Sequence, residues 1–139
     1  MMQNRQVIKA IAAFDFLTTL PFVLPWTASI YLNTVFWMHD ALDFAPQPAW
    51  DGAPLTMLFV NIVGILAVIW AIVRWRTPSR SYAHIDACGR LTVAAILLFH
   101  IAGSVTPVLL IFVATELVGA IWQFCLGQDP VNESPGSSA

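Results

Sequence analysis

Residues 55–73 read LTMLFVNIVGILAVIWAIV, an apolar run without a charged side chain. Its length is close to the ~20 apolar residues that a helix needs to cross the hydrocarbon core of a bilayer. Three further runs of the same character lie at 7–32, 85–103 and 107–126. Together the four runs predict four membrane-spanning helices.

The composition agrees with this class of protein. The chain has 139 residues, of which 58% are hydrophobic and 10% are charged, and its mean hydropathy is +0.74. Ordinary soluble domains contain about 25% charged residues, and a soluble core of this size could not bury so much apolar surface. We therefore predict one transmembrane domain at 1–127, followed by a disordered cytoplasmic tail at 128–139. The net charge of −2 indicates no nucleic-acid partner.

The basic residues all lie at one side of the predicted spans: Arg5, Lys9, Arg74, Arg76, Arg80 and Arg90. The connection at 33–54 contains acidic residues and no basic one. Because short basic loops stay in the cytoplasm, we predict cytoplasmic termini and an extracytoplasmic 33–54. A cleaved signal peptide is the alternative for the N-terminus, but the first apolar run is long and lacks a convincing cleavage site.

Prolines and glycines add detail to the predicted fold. Pro21 and Pro25 fall inside the first apolar run, where each removes an amide donor, so we predict a kink in the first helix. Gly103 can end the third helix, while Thr106 can cap the fourth and Pro107 suits its first position. The sequence thus predicts an all-α, antiparallel four-helix transmembrane bundle whose third and fourth helices form a tight hairpin.

Ionisable residues within the spans indicate a polar interior, because a charge at the bilayer centre costs ~2.5–3.5 kcal/mol on insertion scales. Asp86 and Arg90 are four residues apart, a spacing that lets opposite charges meet on one helix. Asp15 can supply a second carboxylate to Arg90 from the first span. We predict a structural ion pair among these three residues. The alternative is that Arg90 and Arg74 bind an anionic head group.

A second set of polar residues is expected deeper in the membrane. Glu116, if neutral, can donate a hydrogen bond to Asn61 or His100, which would be a packing role. Glu116 and His100 are also the residue types that a proton relay or an acid/base site requires, and they are our catalytic candidates. The predicted ligand-binding residues are Asp15, Asn61, His100, Glu116 and Gln123.

The sequence gives no sign of a redox, metal or cofactor site. Cys88 and Cys125 lack the Cys-x-x-Cys spacing of a redox pair. No His, Asp or Glu spacing matches a metal motif, and no glycine-rich phosphate loop is present. We therefore predict no metal and no cofactor.

Three segments resemble a known group of proteins: FVNIVG at 59–64, DACGR at 86–90 and TELVG at 115–119. They are similar to small uncharacterised bacterial four-helix membrane proteins that are broadly DoxX-like. The likeness covers the three later spans and implies a four-helix inner-membrane fold, without implying an activity.

The leading functional expectation is a binding protein. Its polar interior would hold a lipid-like or amphipathic small molecule, or the chain would act as an accessory subunit, as a homo-oligomer or with another membrane protein. The alternatives are a membrane-embedded acid/base isomerase of a lipid-like substrate and a small proton-coupled transporter. An open cavity joining Asp15, Asn61, His100 and Glu116 would favour these alternatives.

Overall fold

The computed structural model describes residues 2–45, 52–103 and 105–126, so the predicted tail at 128–139 lies outside the described residues. Within those ranges every regular element is helical. The elements are α1 (Met2–Thr19), a first 3₁₀ helix (Leu20–Val23), α2 (Pro25–Ala41), α3 (Pro54–Arg76), α4 (Arg80–Ala102), a second 3₁₀ helix (Pro107–Leu109) and α5 (Leu110–Phe124).

Four helical segments are long and apolar enough to cross a membrane: Asn4–Val23, Pro54–Arg76, Arg80–Ala102 and Pro107–Phe124. The distribution of side chains agrees, because the largest fully buried ones belong to Arg74, His39 and Gln123. Large apolar side chains such as Leu17 and Phe99 are instead exposed. Polar groups inside and apolar groups outside are expected where lipid surrounds the protein. The prediction of an all-helical, multi-pass membrane protein is confirmed.

The helical path is interrupted between α1 and α2. Pro21 lacks an amide donor and lies in the first 3₁₀ helix, and Pro25 restarts the α-helix at a first-turn position, where no donor is needed. The carbonyls of the break find side-chain donors. Asn61 Nδ2 donates to the Phe22 carbonyl at 2.8 Å, and the Thr27 hydroxyl donates to the Pro21 carbonyl. Two carbonyls at the break are therefore satisfied inside the protein, as the bilayer requires.

The connection predicted at 33–54 differs from the structure in its first part, because α2 continues as far as Ala41. Residues 33–41 contain neither proline nor glycine, so nothing in the backbone stops the helix that begins at Pro25. The chain leaves the helix at Leu42, and Asp43 adopts a left-handed conformation with a φ of 54°. The polarity of this stretch thus marks the end of the apolar run and not the end of the helix.

The helices associate as two pairs. α4 packs along α5, while α1 and the first 3₁₀ helix pack along α3. At Gly64 of α3 the backbones come so close that an added Cβ would lie 2.6 Å from the carbonyl carbon of Phe22. By contrast, α3 and α4 make little backbone contact among the described residues, although a connection of three residues joins them. α2 contacts the first 3₁₀ helix and α3. We call α1, the first 3₁₀ helix, α2 and α3 together the α1/α3 pair, and α4 with α5 the α4/α5 pair.

Side chains join the two pairs at both ends. At one end Ile8 of α1, Ala83 of α4 and Leu126 form a small buried apolar cluster. At the other end His39 of α2 is buried, and its Nδ1 lies 2.8 Å from the Thr106 hydroxyl just before the second 3₁₀ helix. Between these ends lie an open cavity and a set of charged side chains.

Candidate functional site

Asp86 of α4 is the centre of the charged set. Its Oδ2 accepts hydrogen bonds from Arg74 Nη1 at 2.6 Å and from Arg90 Nε at 3.0 Å. Gln123 Nε2 of α5 donates to the same oxygen at 2.7 Å. Trp70 Nε1 of α3 donates to Oδ1 at 2.7 Å. One carboxylate therefore joins three helices, and its charge is balanced by hydrogen bonds to ionised donors, which are the strong ones.

Arg90 connects Asp86 to two further carboxylates. Its Nη2 donates to Asp15 Oδ2 of α1, and its Nη1 donates to Glu116 Oε2 of α5 at 3.0 Å. Arg74 Nη2 also donates to Asp15 Oδ2. We call the five charged residues the charge network: Asp15, Arg74, Asp86, Arg90 and Glu116. It links α1, α3, α4 and α5 in the interior of the protein.

Gly119 makes room for the Arg90 side chain. A Cβ at Gly119 would lie 2.9 Å from Arg90 Nη1 and 3.2 Å from its Cδ. The guanidinium group therefore lies against the bare backbone of α5, one turn beyond Glu116. The small residue at this position is what lets Arg90 reach across the helix contact.

A cavity of about 1040 Å³ opens on the charge network. This volume is at the upper end of the ~300–1,000 Å³ typical of small-molecule sites. Its lining is mostly apolar and includes hydroxyl groups of α1 and α2 as well as all five residues of the charge network. Its uncharged lining residues include Phe22, Thr27, Tyr31, Thr34, Val35, Met38, Gly89, Val93, Ile111 and Phe112.

Aromatic rings form one wall of the cavity. Phe22 and Tyr31 are in edge-to-face contact with ring centroids 4.8 Å apart, and Tyr31 lies 6.3 Å from Phe112 of α5. Trp70 also lines the cavity, close to Asp86. The cavity therefore has a charged end and an aromatic, apolar body, the arrangement that fits an amphipathic molecule.

The structure brings together some of the predicted site residues and separates others. Asp15 and Glu116 line the cavity, and Gln123 lies behind the charge network as a donor to Asp86. Asn61 is occupied by the Phe22 carbonyl. His100 is exposed, and its ring contacts the ring of Phe99.

The separation into two layers of polar residues is therefore wrong for Glu116, which pairs with Arg90 and not with Asn61 or His100. The positions in the spans predicted that Arg90 and Glu116 lie at different depths in the membrane. The long Arg90 side chain, which fits into the space over Gly119, nevertheless reaches Glu116. His100 lies ten residues beyond Arg90, or about 15 Å along the same helix. The acid/base pair of Glu116 and His100 that an isomerase would use is not formed. The predicted contacts of Arg90 with Asp86 and Asp15 are present.

Arg74 and Trp70 are members of the site that sequence analysis underrated. Arg74 was taken mainly as a cytoplasmic positive charge, yet it is buried and joins Asp15 to Asp86. One signal in the sequence pointed to it: three carboxylates in the spans need more than one arginine nearby. Trp70 lies one helical turn before Arg74, so it shares the same face of α3.

Comparison with known proteins found no matching family model, no similar curated protein and no similar solved structure. The resemblance to DoxX-like proteins stays a prediction.

Proposed function

We propose that this protein binds a lipid-like or amphipathic small molecule in the cavity between the α1/α3 pair and the α4/α5 pair. The observation that carries the proposal is the cavity of about 1040 Å³ that ends on the charge network. Burying charged groups lowers the stability of a protein unless the groups are paired. If the charge network only held the helices together, a tightly packed interior would serve that role better than one with a cavity. The apolar part of the cavity lies next to the charge network, so the charged groups can orient a ligand whose apolar part occupies the cavity.

The proposal includes a topology. The chain forms an antiparallel four-helix bundle in the bacterial inner membrane, with a first helix kinked at Pro21 and a tight hairpin of α4 and α5. Both termini lie in the cytoplasm, because Arg5 and Lys9 precede the first span and Arg76 and Arg80 flank the connection from α3 to α4. The cavity then lies within the depth of the bilayer, where an amphipathic molecule is already concentrated.

Gly89 offers a way to fill the cavity without disturbing the helices. It lines the cavity, and a Cβ built there meets no other atom within 4 Å. The substitution Gly89→Leu therefore places a branched apolar side chain in the ligand volume. Gly89→Ala is the matched control, because it changes the backbone propensity in the same direction and leaves most of the volume open.

The test is photo-crosslinking in membranes with a long-chain alcohol that carries a diazirine in its chain. We expect adducts on cavity residues such as Tyr31 and Phe112, reduced severalfold in Gly89→Leu and unchanged in Gly89→Ala. Adducts confined to exposed positions of α3 such as Ile62 and Leu66, and insensitive to Gly89→Leu, would contradict the proposal. The probe is uncharged, so the result does not depend on the charge of the natural ligand.

A further inference from the structure

We infer that the ligand is an amphipathic cation of the alkylammonium type. Its positively charged head would lie beside Asp15 and Glu116, and its apolar part would lie among the aromatic side chains of the cavity. This inference rests on the proposed function and adds the sign of the ligand's charge.

With all three of its carboxylates ionised, the charge network has an excess of negative charge. Three carboxylates, those of Asp15, Asp86 and Glu116, face the two guanidinium groups of Arg74 and Arg90. Within the described part of the chain these five are the charged side chains that line the cavity. An unbalanced charge inside a membrane protein is costly, and a cationic ligand would neutralise it.

The exposed fractions of the charged side chains also favour a positively charged ligand. The guanidinium side chains are the most deeply buried members of the charge network, with 2% of Arg74 and 8% of Arg90 exposed. The carboxylates are more open, from 10% for Asp86 to 15% for Asp15 and 25% for Glu116. The carboxylates therefore offer a larger accessible fraction of their side chains than the arginines do.

Within the described ranges, two carboxylate oxygens of the charge network accept no side-chain hydrogen bond, whereas every Nη atom of the two arginines already donates to a carboxylate. Among the described residues, the side-chain hydrogen bonds to Asp15 reach Oδ2 and the one to Glu116 reaches Oε2. Asp15 Oδ1 and Glu116 Oε1 thus remain for a ligand. Arg90 already donates from Nε, Nη1 and Nη2, and Arg74 from both Nη atoms. Arg74 Nε has no hydrogen-bond partner in the part of the chain that the structure describes, but it is fully buried and out of reach of a head group. An anionic head group would therefore meet guanidinium groups that already pair with carboxylates.

The aromatic wall suits a cation as well. Phe22, Tyr31 and Phe112 form a chain of contacting rings on the cavity surface. Ring faces attract cations, most strongly where water is excluded, and aromatic cages are a common means of binding quaternary ammonium groups. Carboxylates and aromatic rings together recognise a positive head that also carries an apolar chain.

The test is equilibrium binding of radiolabelled dodecyltrimethylammonium to the protein in phosphatidylcholine nanodiscs, with empty nanodiscs subtracted. Dodecanol and laurate, which have chains of similar length, serve as uncharged and anionic competitors. We expect saturable binding that the unlabelled cation displaces at about tenfold lower concentration than either competitor. Displacement by laurate or dodecanol as effective as by the cation would overturn the inference and leave the proposed function standing. Parallel titrations use radiolabelled dodecanol and laurate. Saturable binding of either of these without saturable binding of the cation would also overturn the inference alone, and no saturable site for any of the three labelled probes would overturn both.

A variant separates charge from shape. Glu116→Gln keeps an oxygen that accepts from Arg90 and removes the excess negative charge. We expect it to weaken binding of the cation about tenfold and to leave competition by dodecanol unchanged. The control is Asp40→Asn, at an exposed carboxylate outside the cavity lining. If Glu116→Gln is poorly folded, Tyr31→Leu, which removes an aromatic face, should weaken the cation severalfold. Unchanged cation affinity in a folded Glu116→Gln or Tyr31→Leu protein would overturn the inference.

Discussion

Asp86 concentrates the interior contacts of this protein in one side chain. It accepts from two residues of α3, one of α4 and one of α5. Replacing it with alanine leaves Arg74 and Arg90 with less compensation in a buried position. We expect Asp86→Ala to lower the free energy of unfolding in mild detergent by ~3–5 kcal/mol, the range found when one partner of a buried ion pair is removed. Asp40→Ala is the matched control, and equal stability of the two variants would contradict a structural role for Asp86.

His39 has a defined role at the opposite end of the cavity. Its Nε2 lies 2.8 Å from the Ala45 carbonyl, which can only accept, so Nε2 carries the proton and Nδ1 accepts from the Thr106 hydroxyl. Thr106 Oγ1 in turn accepts from the Val108 amide. We expect His39→Phe to cost about 1–3 kcal/mol of stability, because buried polar groups lose their partners. His100→Phe, at an exposed histidine, should cost far less. Equal losses in thermal unfolding would refute the assignment.

At the residue scale, the sequence predicted contacts within one helix better than contacts between helices. Asp86 and Arg90 could be paired from their spacing alone, since residues four apart meet on any helix. The contact of Glu116 with Arg90 depends on the register of α4 against α5 and on the space over Gly119. No local pattern encodes that register. The partners assigned to Glu116 from depth alone were therefore wrong.

At the scale of elements, the break between α1 and α2 is fitted to α3 through Gly64. A Cβ there would overlap the backbone of Phe22, which cannot move aside as a flexible side chain would. We expect Gly64→Ala to lower stability by about 1–3 kcal/mol through overpacking. Gly89→Ala has open space around its Cβ and should be neutral or slightly stabilising. The comparison is made by thermal unfolding in detergent, and a neutral Gly64→Ala would show that this contact is not tight.

The region of α1 and α2 also shows that the ends of helices depend on backbone signals. Pro21 and Pro25 predicted an irregularity in the first span, and the first 3₁₀ helix lies there. The length of α2 was missed because polarity was taken as the end of the helix. A helix continues while each new residue adds a hydrogen bond, and residues 33–41 offer no reason to stop. Side-chain polarity reports the surroundings of a helix, whereas its end depends on backbone signals.

At the scale of the whole molecule, the distribution of Lys and Arg predicts the orientation in the membrane. A green fluorescent protein fused to the C-terminus should fluoresce, and an alkaline phosphatase at the same site should be inactive. The phosphatase inserted after Asp43 should be active, because the connection between α2 and α3 is expected outside the cytoplasm. The reverse pattern of activities would invert the topology and place the basic residues outside.

The class of the molecule could be predicted from its sequence, but its cavity could not. Long apolar runs and few charges are enough to predict membrane-spanning helices, because the bilayer imposes them on each segment separately. The cavity lies where the α1/α3 pair faces the α4/α5 pair, and α3 and α4 make little backbone contact there. That arrangement is a property of the two helix pairs together, and the sequence signals it only through the charged residues that join them.

The central claim is that the volume between the two helix pairs holds a ligand. Native mass spectrometry of the protein, released gently from its own membrane, tests this claim most directly when wild type is compared with Gly89→Leu. We predict that wild type carries a defined small molecule and that folded Gly89→Leu does not. Wild type without a bound molecule, or both forms carrying the same molecule equally, would contradict the claim.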